Sequence, residues 1–124
     1  ILNRELAGIF ARLGHTDKIV IADCGLPIPE GVTCIDLAYK LGEPEFTAVL
    51  EAVLEDLEVE HSYLAEEIKA ANETIHSFIL KNVEPVTYLS HEQFKQMSSE
   101  AKVIIRTGEM TPYANIMLQS GVIF

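Results

Sequence analysis

Apolar residues open the chain at helical spacing. Leu2, Leu6, Ile9, Phe10 and Leu13 fall on one stripe, which predicts an amphipathic helix stopped by Gly14. Lys18 to Ala22 (KIVIA) is a short β-branched run that reads as a buried strand. Gly25 to Gly31 carries two prolines and two glycines and must be a loop. Pro44 can open a second helix, since its missing N–H falls where a first turn has no partner. Phe46, Val49, Leu50, Val53, Leu54 and Leu57 then repeat at steps of three and four, the clearest amphipathic helix in the chain.

The period changes again around His61 to Ala65, which is strand-like, and a polar stretch with Ile75, Phe78 and Ile79 predicts another helix. Val86 to Leu89 reads as a strand. Ser90 followed by Gln93 forms a capping box, so a short helix should begin there and bury Phe94 and Met97. Val103 to Arg106 is a further strand, Thr107-Gly108-Glu109 a turn, and Ile116 to Phe124 one or two closing strands. Strands alternate with helices almost throughout. The expected fold is a single α/β domain over residues 1–124, a sandwich around a largely parallel sheet.

Composition narrows the function. A chain of 124 residues suits one domain with a core that needs no disulfide or metal staple. Nine basic against nineteen acidic residues give a net charge of −10, which repels phosphate backbones and anionic lipid. Nucleic acid and membranes are therefore not expected partners, and no apolar run approaches a bilayer span. A mean hydropathy of +0.19 is high for so acidic a protein and suggests apolar surface shared between subunits. Cys24 and Cys34 do not resemble a disulfide scaffold, and a reducing, cytoplasmic setting is expected.

The candidate chemistry is sparse. His15, in Gly14-His15-Thr16-Asp17, sits just past a helix C-terminus, where the macrodipole favours the imidazolium form. Asp23 lies where the KIVIA strand enters the Gly/Pro loop, the strand end at which open α/β sheets usually hold ligands. His91 should be the first helical residue of its segment, where the dipole favours neutral imidazole. Tyr113 and Asn115, in the turn-rich run from Gly108 to Asn115, would face the same way if extended and offer a flat face and polar groups to a sugar. Each also has an ordinary structural reading: a helix-end histidine, a loop aspartate, an exposed first-turn residue and a loop-anchoring tyrosine. His61 and His76 lack convergent neighbours in sequence. No phosphate loop, nucleophile elbow, Cys-x-x-Cys pair or standard metal-ligand spacing is present.

Four segments together carry a resemblance over the whole chain: Leu13 to Asp17, Ala22 to Pro29, Ser90 to Lys95 and Ile105 to Asn115. They resemble the ribose branch of the bacterial ribose pyranase and fucose mutarotase family. The Gly-Leu-Pro-x-Pro loop and the His-Glu-Gln-Phe helix start favour that branch over the fucose one. Cys24 stands where Ala is more usual.

The resemblance implies a compact α/β sandwich assembled into cytoplasmic homo-oligomeric rings, most often decamers, with sites at subunit boundaries. It implies interconversion of the pyranose and furanose rings of D-ribose, without metal or cofactor, to supply furanose to a kinase. His15 matches the catalytic proton donor, and Asp23, His91, Tyr113, Ala114 and Asn115 match the sugar-binding positions. Two rival readings remain at this point: a fucose-type mutarotase that exchanges anomers, and a non-catalytic pentose-binding accessory protein.

Overall fold

The computed structural model describes Ile1 and residues 3–121; Leu2 and residues 122–124 lie outside the described residues. In chain order the elements are α1 (Arg4–Arg12), β1 (Lys18–Ala22), β2 (Cys34–Asp36), α2 (Phe46–Asp56), β3 (Val59–Ala65), α3 (Ile68–Ala71), α4 (Glu73–Asn82), β4 (Val86–Leu89), α5 (His91–Met97), β5 (Val103–Arg106) and β6 (Ile116–Ser120). A single 3₁₀ turn, Ser98–Glu100, extends α5.

One six-stranded sheet runs in the order β2-β5-β1-β6-β3-β4. β6 alone runs against the others: it pairs antiparallel with β1 and β3, while β1–β5, β2–β5 and β3–β4 are parallel. The expected largely parallel α/β sandwich is therefore the observed one.

Central strand β1 explains the KIVIA run. Ile19, Val20, Ile21 and Ala22 are all fully buried, because successive side chains meet different layers. Ile19 and Ile21 join Leu6, Phe46, Leu50, Ile68 and Ile79 on the face covered by α1 to α4. Val20 and Ala22 pack with Leu26, Phe94, Ile104 and Met117 on the face covered by α5 and the Gly/Pro loop. Full burial of a side chain such as Phe46 or Leu50 contributes about 1.5–3 kcal/mol.

Several boundaries differ from the sequence expectation. Helix α2 starts at Phe46 rather than Pro44, with Glu45 as N-cap and no capping bond from its own side chain. The Phe46 N–H donates instead to the carboxylate of Glu109, 63 residues away, at 3.0 Å. An anion at that position also suits the positive end of the helix. The polar stretch forms two helices, because the Asn72 side chain accepts the Ile75 N–H and restarts the chain as α4. Strand β2, three residues long with only Ile35 buried, is absent from the sequence expectation, since so short a run carries too little pattern to read. At the other end α1 stops at Arg12 with Leu13 extended, and the Gly14 N–H donates to the Asp17 carboxylate at 2.8 Å. The capping box at Ser90 and Gln93 forms as expected. The closing segment forms one strand, β6, and the rest of that expectation falls on residues outside those described.

Gly108 is required by close approach. Its N–H donates to the Pro44 carbonyl at 2.9 Å and its carbonyl accepts the Gly42 N–H at 2.7 Å. A Cβ on Gly108 would lie 2.4 Å from the Glu43 backbone nitrogen, inside any permitted contact. Gly108→Ala should force the two backbones apart and destabilise the fold by about 1–3 kcal/mol, the usual range for overpacking. A urea midpoint equal to that of the parent protein would show that the loop yields without cost.

Candidate active site

Three chain segments meet at the carboxyl edge of the parallel strands, where the sheet order lets loops part. Asp23 follows β1, His91 follows β4, and Tyr113 to Asn115 precede β6, whose reversed direction brings its start to this same edge. They share a cleft of 260 Å³ lined by Asp23, Gly25, Leu26, Pro27, His91, Pro112 and Tyr113.

Asp23 and Asn115 form a reciprocal pair. The Asp23 N–H donates to Asn115 Oδ1 at 2.8 Å, and Asn115 Nδ2 donates to Asp23 Oδ2 at 3.2 Å. The Gly25 N–H donates to the other carboxylate oxygen at 3.0 Å. Asn115 is almost fully buried, so its amide fixes Asp23 from behind the cleft lining. Burial raises the Asp23 pKa; the Gly25, Asn115 and Leu26 hydrogen bonds and nearby His91 oppose the rise without cancelling it.

His91 and Tyr113 form the side wall, their rings edge to face with centroids 5.0 Å apart. Both carboxylate oxygens of Glu67 accept the His91 N–H, at 3.0 and 3.1 Å, which fixes the start of α5. His91 Nδ1 is buried without a hydrogen-bond partner. Leaving such an atom unpaired costs about 1–3 kcal/mol.

Tyr113 is not extended, as its spacing from Asn115 suggested. It has φ of +56°, and its carbonyl accepts the Asn115 N–H at 2.9 Å. That left-handed turn, strained for a tyrosine, sends the ring to His91 and the amide to Asp23. Struts hold it there. Asn72 Nδ2 donates to Thr111 Oγ1 at 2.9 Å and to the Pro112 carbonyl at 2.8 Å, and the Thr111 hydroxyl donates to Glu109 at 2.9 Å. Ala114, fully buried, contributes backbone and packing.

His15 is elsewhere. It precedes β1, while Asp23 follows it, and five strand residues separate the two sheet edges by about 17 Å. Its Nε2 lies 2.6 Å from Glu60 Oε2. The other two histidines are held by single hydroxyls: His61 Nε2 lies 2.6 Å from Thr87 Oγ1, and His76 Nε2 lies 2.6 Å from the Tyr88 hydroxyl. Cys24 and Cys34 are free thiols. Among the described residues no group of three or more His, Cys, Asp or Glu could hold a metal ion, and no helix is long and apolar enough to cross a membrane.

Sequence reading thus named the cleft residues but missed their supports. Glu67, Glu109 and Thr111 carry no local signal, because each acts on a residue 24 or more positions away or on the loop it braces. Asn72 shows locally only as the cap of α4, while its amide reaches that loop 39 positions on.

A small α/β sheet with a polar cleft at its carboxyl edge defines the class, and residues 1–123 match the RbsD / FucU transport protein family, to which the chain belongs. Among its relatives is a D-ribose pyranase of Halalkalibacterium halodurans, 56% identical over 124 residues, covering 100% of this chain and 96% of that protein. A D-ribose pyranase of Bacillus cereus is 58% identical over 126 residues with the same coverage. The structure of Bacillus subtilis RbsD complexed with D-ribose superimposes with a TM-score of 0.99 at 52% identity, covering 100% of this chain and 96% of that one. The fucose mutarotase of Streptococcus pneumoniae, solved with L-fucose, shares the fold at a TM-score of 0.81 and 23% identity, over 99% of this chain and 95% of that one.

The raised pKa of Asp23 has a definite sign. Its folded form holds a proton more tightly than the unfolded chain does, so this carboxyl lowers stability as pH rises from 3.8 through its raised folded value. Asp23→Asn should remove that fall and flatten the stability curve over the same interval, followed by urea denaturation at a series of pH values. Parallel curves for the two proteins would count against a buried, proton-retaining Asp23.

Proposed function

We propose that this chain interconverts the pyranose and furanose rings of D-ribose, the activity of a D-ribose pyranase. The observation that carries the reading is the agreement of fold and sequence with RbsD solved with D-ribose, over the whole chain. The cleft supplies the matching chemistry: a carboxylate held by a buried amide, an imidazole and a phenol around one small volume.

Ring exchange moves one proton off the anomeric hydroxyl and delivers one to the ring oxygen. The open aldehyde then turns about its carbon–carbon bonds and recloses through another hydroxyl. Because the reaction also runs unaided in water, the 10²–10⁴-fold typical of general acid–base catalysis is an adequate acceleration. Asp23 takes the anomeric proton, which a carboxyl of raised pKa in a half-buried cleft is suited to hold. His91, Tyr113 and Asn115 bind hydroxyls, with the backbone of Ala114 between the last two. His15 gives the proton to the ring oxygen.

Asp23 and His15 stand on opposite edges of one sheet, so His15 serves the cleft of a neighbouring subunit. A head-to-tail ring brings unlike edges together at every interface, and the family resemblance favours a decamer. Exposed Tyr39, Leu41 and Met110, on the carboxyl-edge loops, suit burial in such contacts. The protein acts in the cytoplasm on free ribose and passes furanose to a kinase.

Magnetisation-transfer NMR on equilibrated D-ribose tests the activity directly: pyranose–furanose exchange should quicken with the protein present, and an unchanged exchange rate would leave only a sugar-binding role. His15→Ala and Asp23→Ala should each lose about 10²-fold or more in exchange. Co-expressed in equal amounts, they should regain about one quarter of wild-type activity, since that share of interfaces pairs two intact halves. No recovery in the mixed assemblies would confine both groups to a single subunit's site. Tyr113→Phe should weaken half-saturation by about 1–2 kcal/mol through loss of a hydroxyl contact; an unchanged saturation curve would remove that contact from the site.

A further inference from the structure

The sheet edge opposite the cleft holds a second polar cluster, centred on Glu60, which ring opening as described leaves without a role. Glu60 is where β3 slips against β6: Val59 pairs with Ser120 and His61 with Gln119, so two steps on β3 meet one on β6. Such a bulge redirects a side chain at the end of a ladder. Gly121 leaves room for it, since an added Cβ there would lie 3.2 Å from that of Glu60.

The Glu60 carboxylate divides its two oxygens. Oε2 lies 2.6 Å from His15 Nε2, and Oε1 accepts a hydrogen bond from Gln119 Nε2 at 2.6 Å. Tyr63 orients that amide, its hydroxyl donating to Gln119 Oε1 at 3.3 Å. The hydrogen bonds from Gln119 and then His15 hold the Glu60 carboxyl below the usual range, so it is charged at neutral pH. Other ionisable groups nearby are engaged elsewhere: Asp17 Oδ2 accepts the Gly14 N–H, and His61 Nε2 meets Thr87 Oγ1. Thr16, next to His15, has φ of +73°, a turn that the Thr16 N–H secures by donating to the Ser120 carbonyl at 2.9 Å.

We propose that Glu60 is a positioning residue that holds the Nε2–H of His15, so that Nδ1 is the atom that gives the sugar its proton and takes it back. This rests on the reading of His15 as the proton donor. A carboxylate only accepts hydrogen bonds, so Nε2 keeps its hydrogen in both protonation states and Nδ1 alone changes. On opening, the Nδ1 proton goes to the ring oxygen as the C1–O bond breaks and its electron pair stays on that oxygen. The anomeric O–H proton goes to Asp23, and the O–H bonding pair forms the aldehyde π bond. Closure through a different hydroxyl returns both protons, and neither redox partner nor leaving group is needed.

The wiring makes Glu60→Gln a sharp test. With Tyr63 donating to Gln119 Oε1, Gln119 offers an N–H to position 60, so a glutamine there turns its carbonyl to Gln119 and its NH₂ to His15. His15 Nε2 then has to accept, and the hydrogen moves to Nδ1. Long-range ¹H–¹⁵N spectra of the assembled protein should show the Nε2–H form at the high-pH plateau of His15 in the wild type and the Nδ1–H form in Glu60→Gln. Ribose exchange in that variant should fall at least tenfold at saturating sugar with half-saturation unchanged, and Glu60→Asp should restore the wild-type tautomer and part of the rate. An Nδ1–H tautomer in the wild type, or undiminished exchange in Glu60→Gln while His15→Ala loses it, overturns the role of Glu60 alone. Exchange that survives in His15→Ala overturns the underlying reading as well.

Discussion

The insertion of β6, antiparallel, between β1 and β3 is the constraint on which the rest of the molecule depends. A wholly parallel sheet would carry the start of β6 to the same edge as His15. The reversed strand instead delivers Tyr113 and Asn115 beside Asp23, and Gln119 beside Glu60. One strand thereby furnishes a fixed amide to each edge. Its own side chains Ile116, Met117 and Leu118 are fully buried, so the placement is held by both layers of the core.

Around that strand the cleft is braced by contacts between distant segments. The Thr107 N–H and hydroxyl both donate to the Ala22 carbonyl, at 2.9 and 2.8 Å, and the Cys24 N–H donates to the Glu109 carbonyl at 2.9 Å. Arg106 Nε and Nη2 converge on the Cys24 carbonyl at 3.2 and 3.1 Å, while Nη1 reaches Asp36 at 2.9 Å. These bonds satisfy backbone groups that irregular loops would otherwise leave unpaired. They also hold Asp23 at the geometry its pairing with Asn115 demands, which is how a loop can carry a defined site.

Under the proposed head-to-tail assembly, this division has a chemical sense: each subunit would offer His15 on one edge and the Asp23 cleft on the other, and contact between copies would join them. Within one chain the length of β1 keeps His15 away from the Asp23 carboxylate.

Much of this was legible in the residues. The 3.6-residue stripes of α1 and α2, the β-branched runs of β1 and β5 and the capping box of α5 are local patterns, set by backbone geometry and burial within a few positions. The candidate residues His15, Asp23, His91, Tyr113 and Asn115 could be named from their types and motifs. Their grouping could not. Register and strand direction decide that His91, Tyr113, Asp23 and Asn115 share a cleft and that His15 stands with Glu60 and Gln119, because each bond spans tens of residues and leaves no spacing along the chain. The left-handed turn at Tyr113, the α2 start supplied by Glu109 and the close approach at Gly108 belong to the same class. Sequence alone determined most of the elements and named the candidate groups they carry, because both are set by patterns within a few residues. Tertiary structure decided which chemical groups meet, since only the sheet's order and direction bring remote atoms within hydrogen-bonding distance.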